Sequence, residues 1–175
     1  MSNVKTIVQY PAAKVLRKKA SEVTSSDEAS SIKQIINELV DTCLHYDHCV
    51  GLAANQIGHT KRIIVVRPEV ENKKITVMVN PKCEPLPDAT IESGIEGCMS
   101  VQDIQAAVKR PDKIKVIYQD EALVEHELIV ADDPFLSRVI QHEIDHIDGI
   151  MFLDRLTSVQ KQKISKVLKK LNKKD

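Results

Sequence analysis

The chain has 175 residues, 42% of them hydrophobic, and carries 25 Lys plus Arg against 25 Asp plus Glu. This suits a single domain over residues 1–175 with a real core, and the balanced charge gives no reason to expect DNA, a membrane surface or an unusually acidic partner. No apolar run is long enough for a secretion signal or a membrane span, which predicts a protein that stays in the cytoplasm where it is made.

Ser25 followed by Glu28 has the spacing of a capping box. Ile32, Ile35, Ile36, Leu39, Val40, Cys43 and Leu44 then recur at helical spacing, so an amphipathic helix is expected there. A loop with "CVGLAANQIG" follows, and then short β-like runs at 62–66, 75–79, 106–109, 114–118 and 124–130, separated by Pro, Asn and Asp. A second helix is expected over about 134–148, with Asp133 as its cap, Pro134 in the first position and Gly149 past its end. From Val159 onward there are seven lysines (161, 163, 166, 169, 170, 173 and 174) against one acidic residue. Ile164, Val167, Leu168 and Leu171 lie among them at helical spacing, which predicts a third helix on the body with a solvated basic face. Strands flanked by helices without strict alternation point to an α+β fold: short antiparallel or mixed strands around the second helix, with an N-terminal amphipathic helix and a C-terminal helix. Cys43, Cys49, Cys83 and Cys98 form no Cys-x-x-Cys pair and read as core fillers, ligands or reactive thiols rather than disulfides.

The second helix contains "QHEIDHIDG" at 141–149. His142 and His146 lie four residues apart with Glu143 beside the first, the spacing by which one helix offers two imidazoles and a carboxylate to one metal ion. At about 100° per residue, Phe135, Val139, His142 and His146 share one stripe. Glu143 lies next to it, and Leu136, Ile140 and Ile147 continue the apolar side, so the imidazoles point inward. Ser137, Gln141 and Asp145 fall on the far side, which argues against Asp145 as a ligand. The plainer alternative is two core histidines bonded to backbone, with Glu143 in an ion pair. Metal coordination satisfies all three buried polar groups together.

A third ligand has to come from elsewhere. Metallopeptidases with this helix take a Glu or His downstream, but after His146 only Asp148, Asp154 and Asp175 remain. Asp148 lies about 140° around the helix from His146, which leaves Asp154 as the downstream candidate. Upstream, "EGCMS" (96–100) offers Cys98, with Gly97 before it allowing close backbone approach. A thiolate and two imidazoles leave a fourth position for water, the open coordination of a catalytic centre, although a lone Cys is more often a small core residue. "GLAANQ" (51–56) adds small residues ending in Gln56, whose amide can donate to an oxygen gaining negative charge.

"CVGLAANQ", "EGCMS" and "QHEIDH", in this order and separation, resemble the peptide deformylase family, and the similarity extends to "YPAAKVLRKKASEV" and "GIMFLDRL". The resemblance implies removal of the formyl group from N-formylmethionyl nascent peptides, releasing formate. It implies one divalent metal ion, Fe(II) as the native one, with zinc, nickel or cobalt able to take its place. On this sequence it makes Cys98, His142 and His146 the metal ligands and Glu143 the acid–base residue. Gln56 and the backbone N–H of Met99 would hold the oxyanion. Val50, Gly51, Glu96 and Gly97 would line the substrate groove, and Phe135 and Val139 are candidate walls for the methionine side chain. Family members act at the ribosome, so the Lys-rich C-terminal helix suits rRNA phosphates. The lack of a transit segment favours a bacterial cytoplasm.

The chain departs from the family pattern at four places. Cys49 stands where the family loop begins with Gly; a position needing positive φ would strain Cys and displace the loop. Met99 replaces Leu, Gln102 replaces a common Pro, and the turn at 120–124 lacks its usual Gly, which predicts altered loop geometry. Two other readings follow from these features. One is a zincin-type peptidase using His142, His146 and Asp154. The other is a catalytically silent or altered-specificity ribosome-associated homologue whose Cys49 loop blocks the groove.

Overall fold

The computed structural model describes residues 3–69 and 74–171. Its elements are α1 (Ala29–His45), β1 (Gly51–Ala53), β2 (Ile63–Glu69), β3 (Lys74–Pro85), β4 (Ile91–Cys98), β5 (Val101–Pro111), β6 (Ile114–Gln119), β7 (Glu125–Val130), α2 (Pro134–Ile147) and α3 (Ser158–Leu171). The strands form a five-stranded antiparallel sheet in the order β1-β2-β3-β6-β7 and a separate hairpin of β4 and β5. The α+β expectation agrees with this mostly antiparallel arrangement.

Side chains alternate across a strand, and β2 uses both faces. Ile63 and Val65 pack with Ile32, Ile35, Ile36, Leu39 and Cys43 of α1. Ile64 and Val66 pack with Val139, Ile140, Ile144 and Ile147 of α2. The sheet is therefore sandwiched between the two helices, and this is why "RIIVV" is a continuous apolar run rather than an alternating one. A third apolar cluster lies under β5, where Val101, Ile104 and Val108 meet Leu16, Met151, Phe152 and Leu156. Ile164 and Val167 of α3 pack on it, half-buried. Lys161, Lys163 and Lys169 are exposed. Lys173 and Lys174 lie outside the described residues, as do the side chains of Lys166, Leu168, Lys170 and Leu171.

Several local expectations need correction. Ser25 does not cap α1: the helix begins at Ala29, with Glu28 at the cap position and no side-chain cap bond. The segment before it is instead a turn closed by Thr24 N donating to Asp27 Oδ2 at 2.8 Å. Residues 51–53 form a short strand on β2 where a loop was expected, and the run at 106–109 is the middle of an eleven-residue strand. β4 went unread as a strand from its composition because its pattern is inverted. Ile91 and Ile95 face out, 64% and 67% exposed, while Glu96 and Cys98 face inward. The second helix is punctuated as expected, with Asp133 Oδ1 accepting from Leu136 N at 2.9 Å and Gly149 at φ 76°. Ser137, Gln141 and Asp145, placed on the far side, are all buried, so α2 has no solvated face over these residues.

Candidate active site

One helical turn separates His142 from His146, so their rings lie on the same face, edge to face, with centroids 4.9 Å apart. Cys98 reaches the same point from the end of β4. The two Nε2 atoms are 3.2 Å apart, and Cys98 Sγ is 3.2 Å from His146 Nε2. The three ligand atoms lie within 4.8 Å of one another, and no other such group occurs among the described residues. Tetrahedral coordination with nitrogen at about 2.0–2.1 Å and sulfur at about 2.3 Å separates ligand atoms by roughly 3.3–3.6 Å, so the donors fit one ion. Asp154, the alternative ligand, is not in the group: it accepts from Met151 N at 2.8 Å and pairs with Arg17. Asp148 is also elsewhere, 2.6 Å from Arg62 Nη1.

The orientation of the imidazoles is imposed from behind. His142 Nδ1 is 2.9 Å from Glu96 Oε2, and a hydrogen bond there leaves Nε2 free to face Cys98 and His146, with Phe152 stacked on the ring. His146 is tied through its carbonyl, which accepts from Asn55 Nδ2. Glu96 is itself held by Arg110, whose Nε and Nη2 reach its two oxygens at 2.6 and 2.9 Å, and by Arg138 at 2.9 Å. Arg110 Nη1 continues to Asp145 Oδ2 at 2.8 Å, and Asp145 also pairs with Arg155. A buried Arg110 thus links the carboxylate behind His142 to the far side of α2.

Burial and these neighbours set the charges. Burial opposes ionisation of Glu96, but the Arg110 hydrogen bonds and His142 outweigh it and hold the carboxyl far below its usual range. Burial likewise opposes a charge on His142, yet Cys98, Glu96 and Glu143 outweigh it and push the imidazole up to about 10. His146 is driven well below the ordinary value, first by burial and then by the His142 charge. Burial raises Glu143 to about 7; Glu96 and Asp145 add to this, while His142 and Arg110 oppose it.

Glu143 lies against Gly51, where a Cβ would stand 2.8 Å from its Oε1. Only glycine lets β1 pass this close to the carboxylate. The Glu143 Oε2 atom is buried and has no hydrogen-bond partner among the described residues. Gln56 is fixed by its Oε1, which accepts from Ala53 N at 2.8 Å, so its amide nitrogen points to Ser100 Oγ at 3.3 Å and Cys98 Sγ at 3.6 Å. A cavity of about 850 Å³ opens over these groups. Val50, Gly51, Glu96, Gly97, Phe135 and Val139, the expected groove residues, all line it, as do Gln56, Met99 and Glu143. Phe135 is 56% exposed and therefore belongs to the rim.

Cys49 lines the same cavity and does not close it. It is buried, its Sγ 3.3 Å from the Gly51 carbonyl oxygen, and it is not among the residues of positive φ. The non-glycine residues of positive φ among the described residues are Asn80 (φ 52°), Asp103 (φ 61°) and Leu123 (φ 62°), the last two beside Gln102 and within the glycine-less 120–124 turn. Sequence reasoning missed Arg110, Asn55, Ser100 and Arg138. For Arg110 a signal existed: it shares the inward side of β5 with Val108, both at most 2% exposed. A cation at an inward strand position requires a buried anion.

A sulfur and two imidazole nitrogens around one point, with a carboxylate and an amide donor on a cleft wall, form the donor set of a metal-dependent hydrolase. Comparison with known proteins is consistent with this class. The sequence model of the polypeptide deformylase family matches residues 4–162. Curated peptide deformylases of Helicobacter hepaticus and Chlorobaculum tepidum are 34% and 38% identical, covering 95% and 88% of this chain and 91% and 81% of their own. The crystal structure of a peptide deformylase from Legionella pneumophila superposes with a TM-score of 0.82 at 31% identity, covering 97% of this chain and 95% of that one. A class I type b peptide deformylase from Acinetobacter baumannii, solved with Met-Ala-Ser bound, gives 0.76 at 30% identity over 89% of this chain and 100% of that one. The chain belongs to the peptide deformylase family.

Proposed function

We propose that the chain, as one catalytic domain, hydrolyses the formamide of N-formylmethionyl nascent peptides and releases formate, using an ion held by Cys98, His142 and His146. The observation that carries this is the convergence of Sγ and the two Nε2 atoms beside a buried carboxylate, in a member of a metal-dependent family. A divalent ion, Fe(II) in the cell or zinc, nickel or cobalt in its place, supplies a Lewis acid for the formyl oxygen and acidifies the attacking water.

The chain's own residues do the rest. Glu143 Oε2, buried and without a protein partner, takes the proton of the attacking water and returns it to the departing amine. The Gln56 amide, locked by Ala53 N, and the Met99 N–H donate to the oxygen that gains charge. Val50, Gly51, Glu96 and Gly97 line the groove, and Val139 and Phe135 offer apolar contact to the methionine side chain. That a relative was solved with Met-Ala-Ser bound supports a peptide beginning with methionine as the occupant of the groove. The basic α3 is the proposed ribosome-docking element in the cytoplasm. Reversing Lys161, Lys163 and Lys169 to Glu should abolish co-sedimentation with ribosomes while formate release persists.

The test of the activity is anaerobic purification with metal analysis, then formate release from a formyl-Met tripeptide. One ion per chain and turnover are expected, with Cys98→Ala losing both. Metal binding and turnover that survive Cys98→Ala would overturn the ligand set.

A further inference from the structure

Residues 7–10 belong to no strand or helix, so their polar groups have to find partners outside the regular ladders. Three consecutive residues turn theirs on the candidate site. Val8 N donates to the Gln56 carbonyl oxygen at 2.9 Å, and Tyr10 N to the Ser100 carbonyl oxygen at 2.8 Å. Between them, Gln9 Nε2 donates to the Met99 carbonyl oxygen at 3.1 Å and, within its own segment, to the Ile7 carbonyl oxygen at 3.1 Å. Gln56 Nε2, 3.3 Å from Ser100 Oγ, closes the ring of bonds. The segment is anchored on two sides: Ile7 is buried in the apolar cluster of α1, and Val8 and Tyr10 pack on the cluster under β5.

What this segment braces is a two-residue turn. Met99 and Ser100 join β4 to β5, stand outside the ladder, and have Cys98 paired with Val101 across them. The turn carries the N–H assigned to the oxyanion, directly after a candidate ligand. Hydrogen bonds to both of its carbonyl oxygens restrain its peptide planes, and the Val8 bond ties Gln56, the other proposed donor, to the same segment. Among the bonds the segment makes to the site, that of Gln9 comes from a side chain and can be removed without altering the backbone. Gln9 Oε1 is buried and has no hydrogen-bond partner among the described residues. An amide whose oxygen is buried unpaired is poorly suited to stabilising the fold, which leaves the bond made by its nitrogen as its role.

We infer that Gln9 is a positioning residue for the reaction: it holds the Met99–Ser100 turn so that the Met99 N–H and the Gln56 amide meet the same oxygen. This rests on the deformylase reading above. Donors to an oxyanion act when they are held in advance at hydrogen-bond distance from the point where charge develops, and losing one costs about 10²–10³ in kcat. A donor that is present but free to swing forfeits part of this, roughly 10–100-fold. The loss falls on kcat rather than KM, because such a donor binds the transition state more strongly than the uncharged formyl oxygen.

The experiment measures formate release from formyl-Met-Ala-Ser by the metal-loaded enzyme and by two variants without the donor. Gln9→Met keeps the length of the side chain, and Gln9→Leu is a second apolar replacement. Both should lower kcat about 10–100-fold with KM within about twofold of the wild type. Metal content should stay at the wild-type level and Tm within about 4 °C of it. Asn3→Ala, which removes the 2.9 Å side-chain bond from the same segment to Asp41 on α1, should leave kcat unchanged. A kcat within about twofold of wild type in either variant overturns the inference. So does a loss accompanied in both variants by a fall in metal content or Tm, which is the behaviour of a merely structural residue. No formate from the wild type overturns the deformylase reading itself, and this inference with it.

Discussion

At the residue scale, the proposed hydrolysis depends on a carboxylate kept poised by burial. Glu143 titrates near 7 because burial penalises its charge and because Glu96 and Asp145 lie nearby, a value suited to taking and returning a proton near neutrality. Glu143→Gln should reduce kcat by about 10²–10⁴ while metal content stays at the wild-type level, since Glu143 is not one of the three converging donors. In the proposed role Glu143 acts only when ionised, so wild-type kcat/KM should fall as pH drops through the Glu143 pKa, at about 7 or lower once a cation stabilises the carboxylate. A kcat/KM profile flat from pH 8 to 5 would remove Glu143 from the proton transfer.

At the element scale, α2 is positioned through charge as well as apolar packing. Arg110 of β5 grips Glu96 of β4 and Asp145 of α2, so three elements meet in one buried network directly behind His142. The folded carboxyl of Glu96 is held far below its usual range. Its contribution to stability is therefore fully present above the ordinary glutamate pKa of about 4.3 and is lost as pH falls below it. Glu96→Gln should cost about 3–5 kcal/mol in urea unfolding at pH 7, because it leaves Arg110 and Arg138 short of an anion. Its stability should then change less than that of the wild type between pH 5 and 3. Metal affinity should fall about 10–100-fold as His142 loses its orienting partner.

At the scale of the molecule, the candidate ligands join the hairpin to the helix, so an ion binding the native state alone links them by mass action. At a thousandfold excess over Kd this contributes about 4 kcal/mol, which for a chain of this size corresponds to a Tm shift of roughly 8–16 °C. Chelator-treated protein should melt lower by about that amount and recover on adding back metal, and Cys98→Ala should show little of the difference. A melting curve of the wild type unmoved by chelator would argue that the three donors hold no ion.

The helices, most strands and the grouping of the candidate donors on α2 were legible in the sequence because they rest on local periodicity and on spacing along one element: His142, Glu143 and His146 share a face wherever their helix is put. Cys98 and Gln56 could be named only as candidates from their own stretches, and the resemblance was needed to join them to the helix, since nothing local ties residue 98 or 56 to 142. Tertiary structure decided the remainder. β4 turns its isoleucines to solvent and its polar residues inward, which defeats a pattern that assumes apolar means buried. The far side of α2 read as exposed because its residues are polar, yet Arg110 of β5 and Arg155, ten residues further on, neutralise Asp145 there. Cys49 escaped the strain its position suggested, while Asp103 and Leu123, in the loops that lack the family's Pro and Gly, take positive φ because backbone path rather than residue type selects the conformation. Periodicity encodes which residues share a face; which partners meet that face depends on long-range packing and buried charge pairing, set only when the chain is folded.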